Sequence, residues 1–252
     1  MRIFFIRKSE VVIVTPHQGL GDHILCNGIY RELADQYKIV FITVKRTYRP
    51  QISRMLSDLD NIIFINIPIT RTWTTTRVIQ ILARIFRIKI VGLGSYGKNF
   101  FPPNLRFDEN FYNQANVNFE NRWAKFRVER NISKEEELYS LLNCKANSYI
   151  FLHEDFSRNF TINRDFLSNE FDVVTPSADP DQFSVFDYRK VIENAREVHV
   201  IESSFAAFIE SLELSIPLYA HRYARPHASN DYRHEFTYKK QWVIITEKFK
   251  LN

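Results

Sequence analysis

The chain has 252 residues, 45% of them hydrophobic and 25% charged, an ordinary globular composition that excludes intrinsic disorder. No apolar run approaches the roughly 18 residues of a membrane span, so the expectation is a soluble protein. The net charge of +5 is unevenly spread: Met1 to Leu105 carries 15 Lys/Arg against 6 Asp/Glu, and Arg106 to Asn252 carries 19 against 23. A basic first half and a mildly acidic second half suggest two units with different partners.

The start, MRIFFIRKSE, lacks a long apolar region and a small-residue cleavage site, so it reads as mature chain. Val11 to Thr15 then reads as a buried strand, Asp22 to Tyr37 as a helix, and Ile39 to Val44 as a second strand. Pro50 to Leu59 is a short helix, Ile62 to Ile67 a third strand, Arg77 to Phe86 a helix and Ile88 to Val91 a fourth strand. Continuous Val, Ile and Phe runs between helical stretches predict a parallel sheet covered on both faces, the doubly wound pattern.

From Phe101 to Lys145 the rhythm breaks in a stretch rich in Asn, Glu and aromatics, including Trp123, which is expected to pack. It reads as a connector ending in a helix over Lys134 to Leu142, with Ser133 as N-cap and Glu136 as its capping-box partner. Alternation then resumes, with strands at Ser148 to His153, Phe171 to Thr175, Glu197 to Ile201 and Pro217 to Ala220. The helices between them are Phe186 to Asn194, where Tyr188 is expected to pack, and Ser203 to Leu212. The tail, Phe236 to Glu247, adds a last strand or packs back on the first half. The fold class is therefore α/β: an N-terminal Rossmann-like lobe over 1–105, a partly helical connector over 106–145 and a C-terminal lobe over 146–252. The only cysteines, Cys26 and Cys144, have no metal spacing and build no disulfide framework, which points to a reducing cytoplasm.

Chemistry concentrates at two turns. In HQGLGDH, between the first strand and helix, Gly19 and Gly21 permit close approach of a ligand to the main chain, and the helix start favours an anion. No Gly-Lys-Ser/Thr follows and the full dinucleotide fingerprint is missing. Alone, the turn serves equally as a connection capped by Asp22; the flanking His17 and His23 weigh toward function. In the second turn, Glu202-Ser203-Ser204, small residues admit a ligand to the helix start, where hydroxyls and N–H groups suit phosphate oxygens. Glu202 could accept hydrogen bonds from ribose hydroxyls, while the bland alternative is a Ser203 N-cap with a favourable charge beside it.

Together the two turns resemble those of GT-B fold glycosyltransferases, most nearly the bacterial heptosyltransferase-like, family 9-like group. Gly19-Leu20-Gly21-Asp22 with the helix to Leu33-Ala34 matches that group's first turn. Glu202-Ser203-Ser204, Phe205-Ala206-Ala207 and Ile216-Pro217-Leu218 match its C-terminal element, although the group's acidic residue is usually Asp, followed by a glycine-containing turn. The resemblance implies two lobes with a cleft between them, an acceptor on the first and a nucleotide-sugar on the second. It implies Asp22 as general base, because an acceptor hydroxyl attacks only when a carboxylate takes its proton. His17, Gln18, Gly19, Gly21 and His23 would form the acceptor corner beside it. Arg158, with Arg164 as a weaker match, would hold the diphosphate together with Ser203 and Ser204, and Glu202 would hold the ribose. No cofactor and no metal is implied; the partners are a nucleotide-sugar and a glycan or lipid-linked acceptor, in the cytoplasm or at the inner face of a membrane, where the basic N-lobe could make a peripheral contact.

Two further stretches carry charge. RVIQILARIFRIKI sets Val78, Ile81, Leu82 and Ile85 on one helical face, with Arg77, Arg84 and Arg87 elsewhere. A sheet-covering helix with a solvated basic face is expected there, in preference to a helix touching an anionic membrane. AHRYARPHASNDYRH gathers His221, Arg222, Arg225, His227 and His234 in a basic loop that matches no zinc spacing and suits diphosphate. Two rivals remain: a dinucleotide- or S-adenosylmethionine-dependent enzyme, and a non-catalytic binder of an acidic polymer. The first expects an acidic residue closing the second strand, where this chain has Val44-Lys45-Arg46. Nucleic acid ranks lower, since the basic residues are scattered outside any recognisable binding module.

Overall fold

The computed structural model describes residues 7–68, 70, 72–94, 104–225 and 235–248. The chain divides into two compact units, Met1–Glu129 with Arg233–Thr237 and Arg130–Tyr232 with Tyr238–Asn252. Both are α/β units with parallel sheets, as the alternation in the sequence predicts.

In the first unit, the described strands β1 (Val11–Thr15), β2 (Ile39–Lys45), β3 (Ile62–Ile67) and β4 (Lys89–Gly92) lie in the order β3-β2-β1-β4. Val12 and Val14 are fully buried and Ile13 nearly so, because β1 is a central strand covered on both faces. The strand order reverses between β1 and β4, so the chain leaving β1 faces the crevice where open parallel sheets bind ligands.

The single helix expected over Asp22 to Tyr37 is two: α1 (Leu20–Leu25) and α2 (Asn27–Gln36). Cys26 leaves helical geometry at the junction (φ −83°, ψ 2°). The next residue, Asn27, is buried and exchanges hydrogen bonds with the Arg127 backbone, Nδ2 donating to its carbonyl at 3.1 Å and Oδ1 accepting from its N–H at 3.3 Å. α3 (Arg49–Met55) and α4 (Thr72–Ile85) complete the crossovers. α4 reverses an expectation: Ala83 is buried and Gln80 bonds to β1, while Val78, Ile81, Leu82 and Ile85 are exposed.

The segment read as a connector is divided between the units at Glu129 and Arg130. Its first part, α5 (Phe107–Ala115) and α6 (Asn121–Ala124), buries Asp108, Phe111, Tyr112 and Arg122. Asp108 and Arg122 form a buried ion pair that also binds Thr237, whose N–H donates to Asp108 Oδ1 at 3.0 Å and whose carbonyl accepts from Arg122 Nη1 at 2.7 Å. Burial pushes the Asp108 carboxyl upward against the attraction of Arg122 and the bonds from Thr237. The second part is α7 (Ile132–Leu141), capped by Asn131, which accepts from the Lys134 N–H at 3.1 Å; the cap expected at Ser133 falls inside the helix.

In the second unit, β5 (Tyr149–His153), β6 (Asp172–Val174), β7 (Glu197–Val200), β8 (Leu218–His221) and β9 (Trp242–Ile245) are parallel in the order β6-β5-β7-β8-β9. The helices α8 (Arg189–Glu193) and α9 (Ser204–Glu210) flank β7 in sequence. Here the order reverses between β5 and β7. The tail does both things the sequence allows, since Arg233–Thr237 groups with the first unit and Trp242–Ile245 forms the last strand. Fully buried Glu210 holds that strand, accepting from the Lys239 N–H at 2.8 Å and the Trp242 indole at 2.7 Å.

Gly28 in α2 is a packing requirement. A Cβ there would collide with the Asn121 carbonyl oxygen and lie 2.8 Å from the Tyr112 hydroxyl. Backbone cannot yield as a side-chain tip can, so Gly28→Ala is expected to lower stability by about 1–3 kcal/mol despite its better helix propensity. A urea midpoint equal to or above wild type would refute this packing.

Candidate functional site

The corner after β1 is built around one carboxylate oxygen. The chain turns at Pro16, and α1 begins at Leu20, two residues earlier than expected, with Gly19 as N-cap and Asp22 in the first turn. Asp22 Oδ2 accepts the Gly19 N–H at 2.9 Å, satisfying a donor that the helix leaves unpaired. The same oxygen accepts from His17 Nδ1 at 2.5 Å. A Cβ on Gly19 would lie 2.6 Å from Asp22 Oδ2, so glycine is what lets the carboxylate close over the turn.

Both members of the pair remain accessible, with 32% of the His17 and 15% of the Asp22 side chain exposed. Burial works against a charge on His17, but the hydrogen bond and negative charge of Asp22 outweigh it, and its pKa is raised above the ordinary 6.5. The imidazole edge also meets the Phe107 ring at 5.8 Å between centroids.

The other residues expected at this corner divide. Gly21 is the half-buried second residue of α1. Gln18 turns inward, its Nε2 donating to the Pro16 carbonyl at 2.7 Å and to Thr43 Oγ1 at 3.1 Å. It ties the turn to β2. His23 is fully buried, its Nδ1 2.8 Å from the Tyr30 hydroxyl, and burial pushes its pKa down to about 4. An uncharged ring facing the core removes His23 from the acceptor-facing set. β2 ends at Lys45, so no carboxylate closes that strand for a ribose, as the sequence indicates.

The second unit gathers its polar groups at the carboxyl ends of β5, β7 and β8. Ser203 caps α9, its Oγ accepting from the Ala206 N–H at 3.4 Å, and Ser204 opens the helix. His153, the last residue of β5, sits 3.1 Å from Ser203 Oγ through its Nδ1 and packs on the Phe205 ring. Burial lowers its pKa to about 4, against the charges of Asp155 and Glu154. Sequence reasoning placed His153 in a strand and gave it no role; its position beside the strand-order reversal is the signal that marks it.

Arg158 stands on a tight hairpin after β5, closed by paired backbone bonds between Asp155 and Phe160. Its Nε donates to Asp155 Oδ2 at 2.7 Å, and the side chain is 61% exposed. Phe156 on the same hairpin is 68% exposed, an uncovered aromatic that sequence reasoning also passed over. Arg164 is engaged instead: its two terminal nitrogens clamp Glu154 at 2.8 and 2.7 Å. Glu202 is buried, with Oε1 3.5 Å from Arg222 Nε, and its carbonyl accepts from Arg225 Nη1. The carboxylate thus faces Arg222, while Arg225 is met by the backbone carbonyl. His221 is fully buried, with Nε2 2.9 Å from His199 Nδ1, while His227 and His234 lie outside the described residues.

No protein-family model matches the sequence, and a comparison with curated proteins finds no match. Solved structures do match. A glycosyl transferase family 9 protein from Veillonella parvula superposes with a TM-score of 0.53 at 11% identity, over 95% of this chain and 87% of that one. The ADP-heptose LPS heptosyltransferase II of E. coli superposes with a TM-score of 0.50 at 11% identity, over 83% of this chain and 84% of that one. The chain thus has the two-sheet, GT-B-like α/β fold of these glycosyltransferases, the fold its two turns suggest. No helix among the described residues is long and apolar enough to cross a membrane.

The short contact at the corner makes a spectroscopic prediction. His17 should titrate above 6.5 in the wild type, and Asp22→Asn should bring it below, because burial and the charge of Lys45 then act unopposed. By linkage, the raised value stabilises the fold below the ordinary pKa and is lost as pH rises through the folded one. Imidazole NMR titrations of the two proteins provide the check, and an unchanged midpoint would disprove the coupling.

Proposed function

We propose that the protein is a glycosyltransferase that moves a sugar from a nucleotide-sugar donor to a hydroxyl of a glycan or lipid-linked acceptor. The observation that carries this reading is the His17–Asp22 pair, partly accessible at the carboxyl end of β1 on a glycosyltransferase fold. An acceptor hydroxyl must lose its proton as it attacks the anomeric carbon. Asp22 would take the proton on its other oxygen, while His17 keeps Oδ2 bound and the carboxylate oriented.

The donor belongs to the second unit. As the sugar–phosphate bond breaks, negative charge builds on the departing diphosphate and requires positioned donors. Arg158 would meet that charge, with the Ser203 and Ser204 hydroxyls beside it, and His153 holds Ser203 in place. The exposed Phe156 ring offers a stacking face for the nucleobase, and Glu202 holds Arg222 rather than the ribose. We read the transfer as metal-independent, with these side chains neutralising the leaving group. The E. coli neighbour is named for ADP-heptose, which makes an ADP-linked sugar the first donor to try.

A thermal-shift screen against nucleoside diphosphates, followed by a transfer assay, tests the reading. ADP or another nucleoside diphosphate should raise the melting temperature, with a smaller shift for Arg158→Ala and Phe156→Ala. Asp22→Asn should keep the full shift while transfer falls by about 10²–10⁴-fold, and a chelator should leave the wild-type rate unchanged. Full turnover in Asp22→Asn would remove the proposed base. Salt-sensitive binding of an acidic polymer without any nucleotide affinity would favour the non-catalytic binding protein instead.

A further inference from the structure

Among the described residues, α4 carries an exposed apolar face. Val78, Ile81, Leu82, Ile85 and the following Phe86 are 53, 54, 47, 66 and 55% exposed. The first four follow i, i+3, i+4, i+7 spacing, so they form one stripe along the helix, and Phe86 extends it past the last turn. The opposite side is the one engaged with the sheet: Ala83 is 2% exposed, and Gln80 Nε2 donates to Thr15 Oγ1 at 3.0 Å. Isolated exposed apolar residues are ordinary, but five large ones on a single stripe mark an interaction surface.

The charged residues of α4 and of the turn and strand that follow it are all basic. Arg77, Arg84, Arg87 and Lys89 are all exposed, and Arg77 and Arg84 stand seven residues apart along one flank. Arg87 closes the helix in the left-handed region (φ 56°), a position that favours glycine, while the Ile88 N–H reaches back to the Ala83 carbonyl at 2.9 Å. Between Asp60 and Asp108 the sequence has seven Lys or Arg and no acidic residue at all.

We propose that this face docks on an anionic lipid surface, with α4 lying in the plane of the interface. The apolar stripe would enter the acyl boundary, and the arginines would remain among the headgroup phosphates, reaching them along their aliphatic stems. A second copy of this chain fits the face less well. Docking α4 on α4 would bring like-charged flanks together, and the helix has no carboxylate to answer them. The proposal rests on the exposure and charge of α4 and does not depend on the transferase reading.

Co-sedimentation with vesicles tests it, comparing phosphatidylglycerol with phosphatidylcholine vesicles. The wild type should sediment with the anionic vesicles at low salt, be released at high salt, and stay in solution with the zwitterionic ones. Ile81→Glu combined with Ile85→Glu should weaken binding at least tenfold, and Arg77→Glu or Arg84→Glu should each cost about fivefold or more. Because these side chains are exposed, the variants should melt like the wild type and keep any nucleoside diphosphate shift, which separates this result from the fate of the catalytic reading. A wild type that stays in solution with anionic vesicles would overturn the proposal, as would a double-glutamate variant that sediments unchanged. A dimer that the same substitutions dissolve in sedimentation velocity would also overturn it, by assigning the face to a second copy.

Discussion

One carboxylate oxygen, Asp22 Oδ2, is bound at once by the Gly19 N–H and by His17 Nδ1, and the corner after β1 is built on that double engagement. A helix start leaves backbone donors unpaired, and a carboxylate in the first turn is an economical way to satisfy one of them. Here the cap also anchors an imidazole that reaches back from the end of β1. Local folding and site geometry therefore share a single atom. The turn cannot relax without releasing the histidine, and the histidine cannot swing away without weakening the cap. That coupling explains why the corner has glycine at position 19, where a side chain would strike the carboxylate.

A second electrostatic constraint fixes the middle of the chain. Asp108 and Arg122 are both essentially removed from water, a costly placement for two charges unless each is met closely. Asp108 spends its oxygens on Arg122 and on the backbone and hydroxyl of Thr237. Arg122 also stands over the rings of Trp123 and Phe236 at 4.8 and 5.6 Å. Two neighbouring helices and a segment more than a hundred residues further on thus meet on one ion pair. Removing either partner would strand the other charge in the interior, so this pair defines where the segment around Thr237 belongs.

The sheets were legible because both are parallel and their central strands are buried, which writes β1 and β5 as nearly unbroken apolar runs. β1 and β3 match their sequence bounds, and most other strands differ by a residue or two. Helix starts were less legible. Asp22 looks like a first helical residue, yet the chain is already helical at Leu20, and Ser133 looks like a cap, yet Asn131 performs that task. Several residue types can cap, and tertiary contacts choose among them. The site was legible as chemistry and not as orientation. Asp22 lies in the first turn of α1 and Ser203 caps α9, as local rules expect, whereas His23 and Glu202 are buried beside Tyr30 and Arg222. No local pattern announces such partners, which arrive from seven and twenty residues away.

α4 shows the same limit at the scale of a whole helix. A 3.6-residue apolar period states that one face differs from the other; it does not state which face meets the sheet. Close packing on β1 favours small or polar side chains that fit beside Thr15, and Ala83 and Gln80 meet that demand, leaving the bulky stripe outside. A helix that spends a stripe of large aliphatic residues on solvent contradicts the rest of an otherwise consistent fold, and such contradictions concentrate where a sequence answers to something besides its own core. The contact that turns the stripe outward, Gln80 to Thr15, also ties it to the strand that delivers His17 and Asp22. A surface held by α4 would therefore be mechanically continuous with the corner, joined through β1 rather than through a loop.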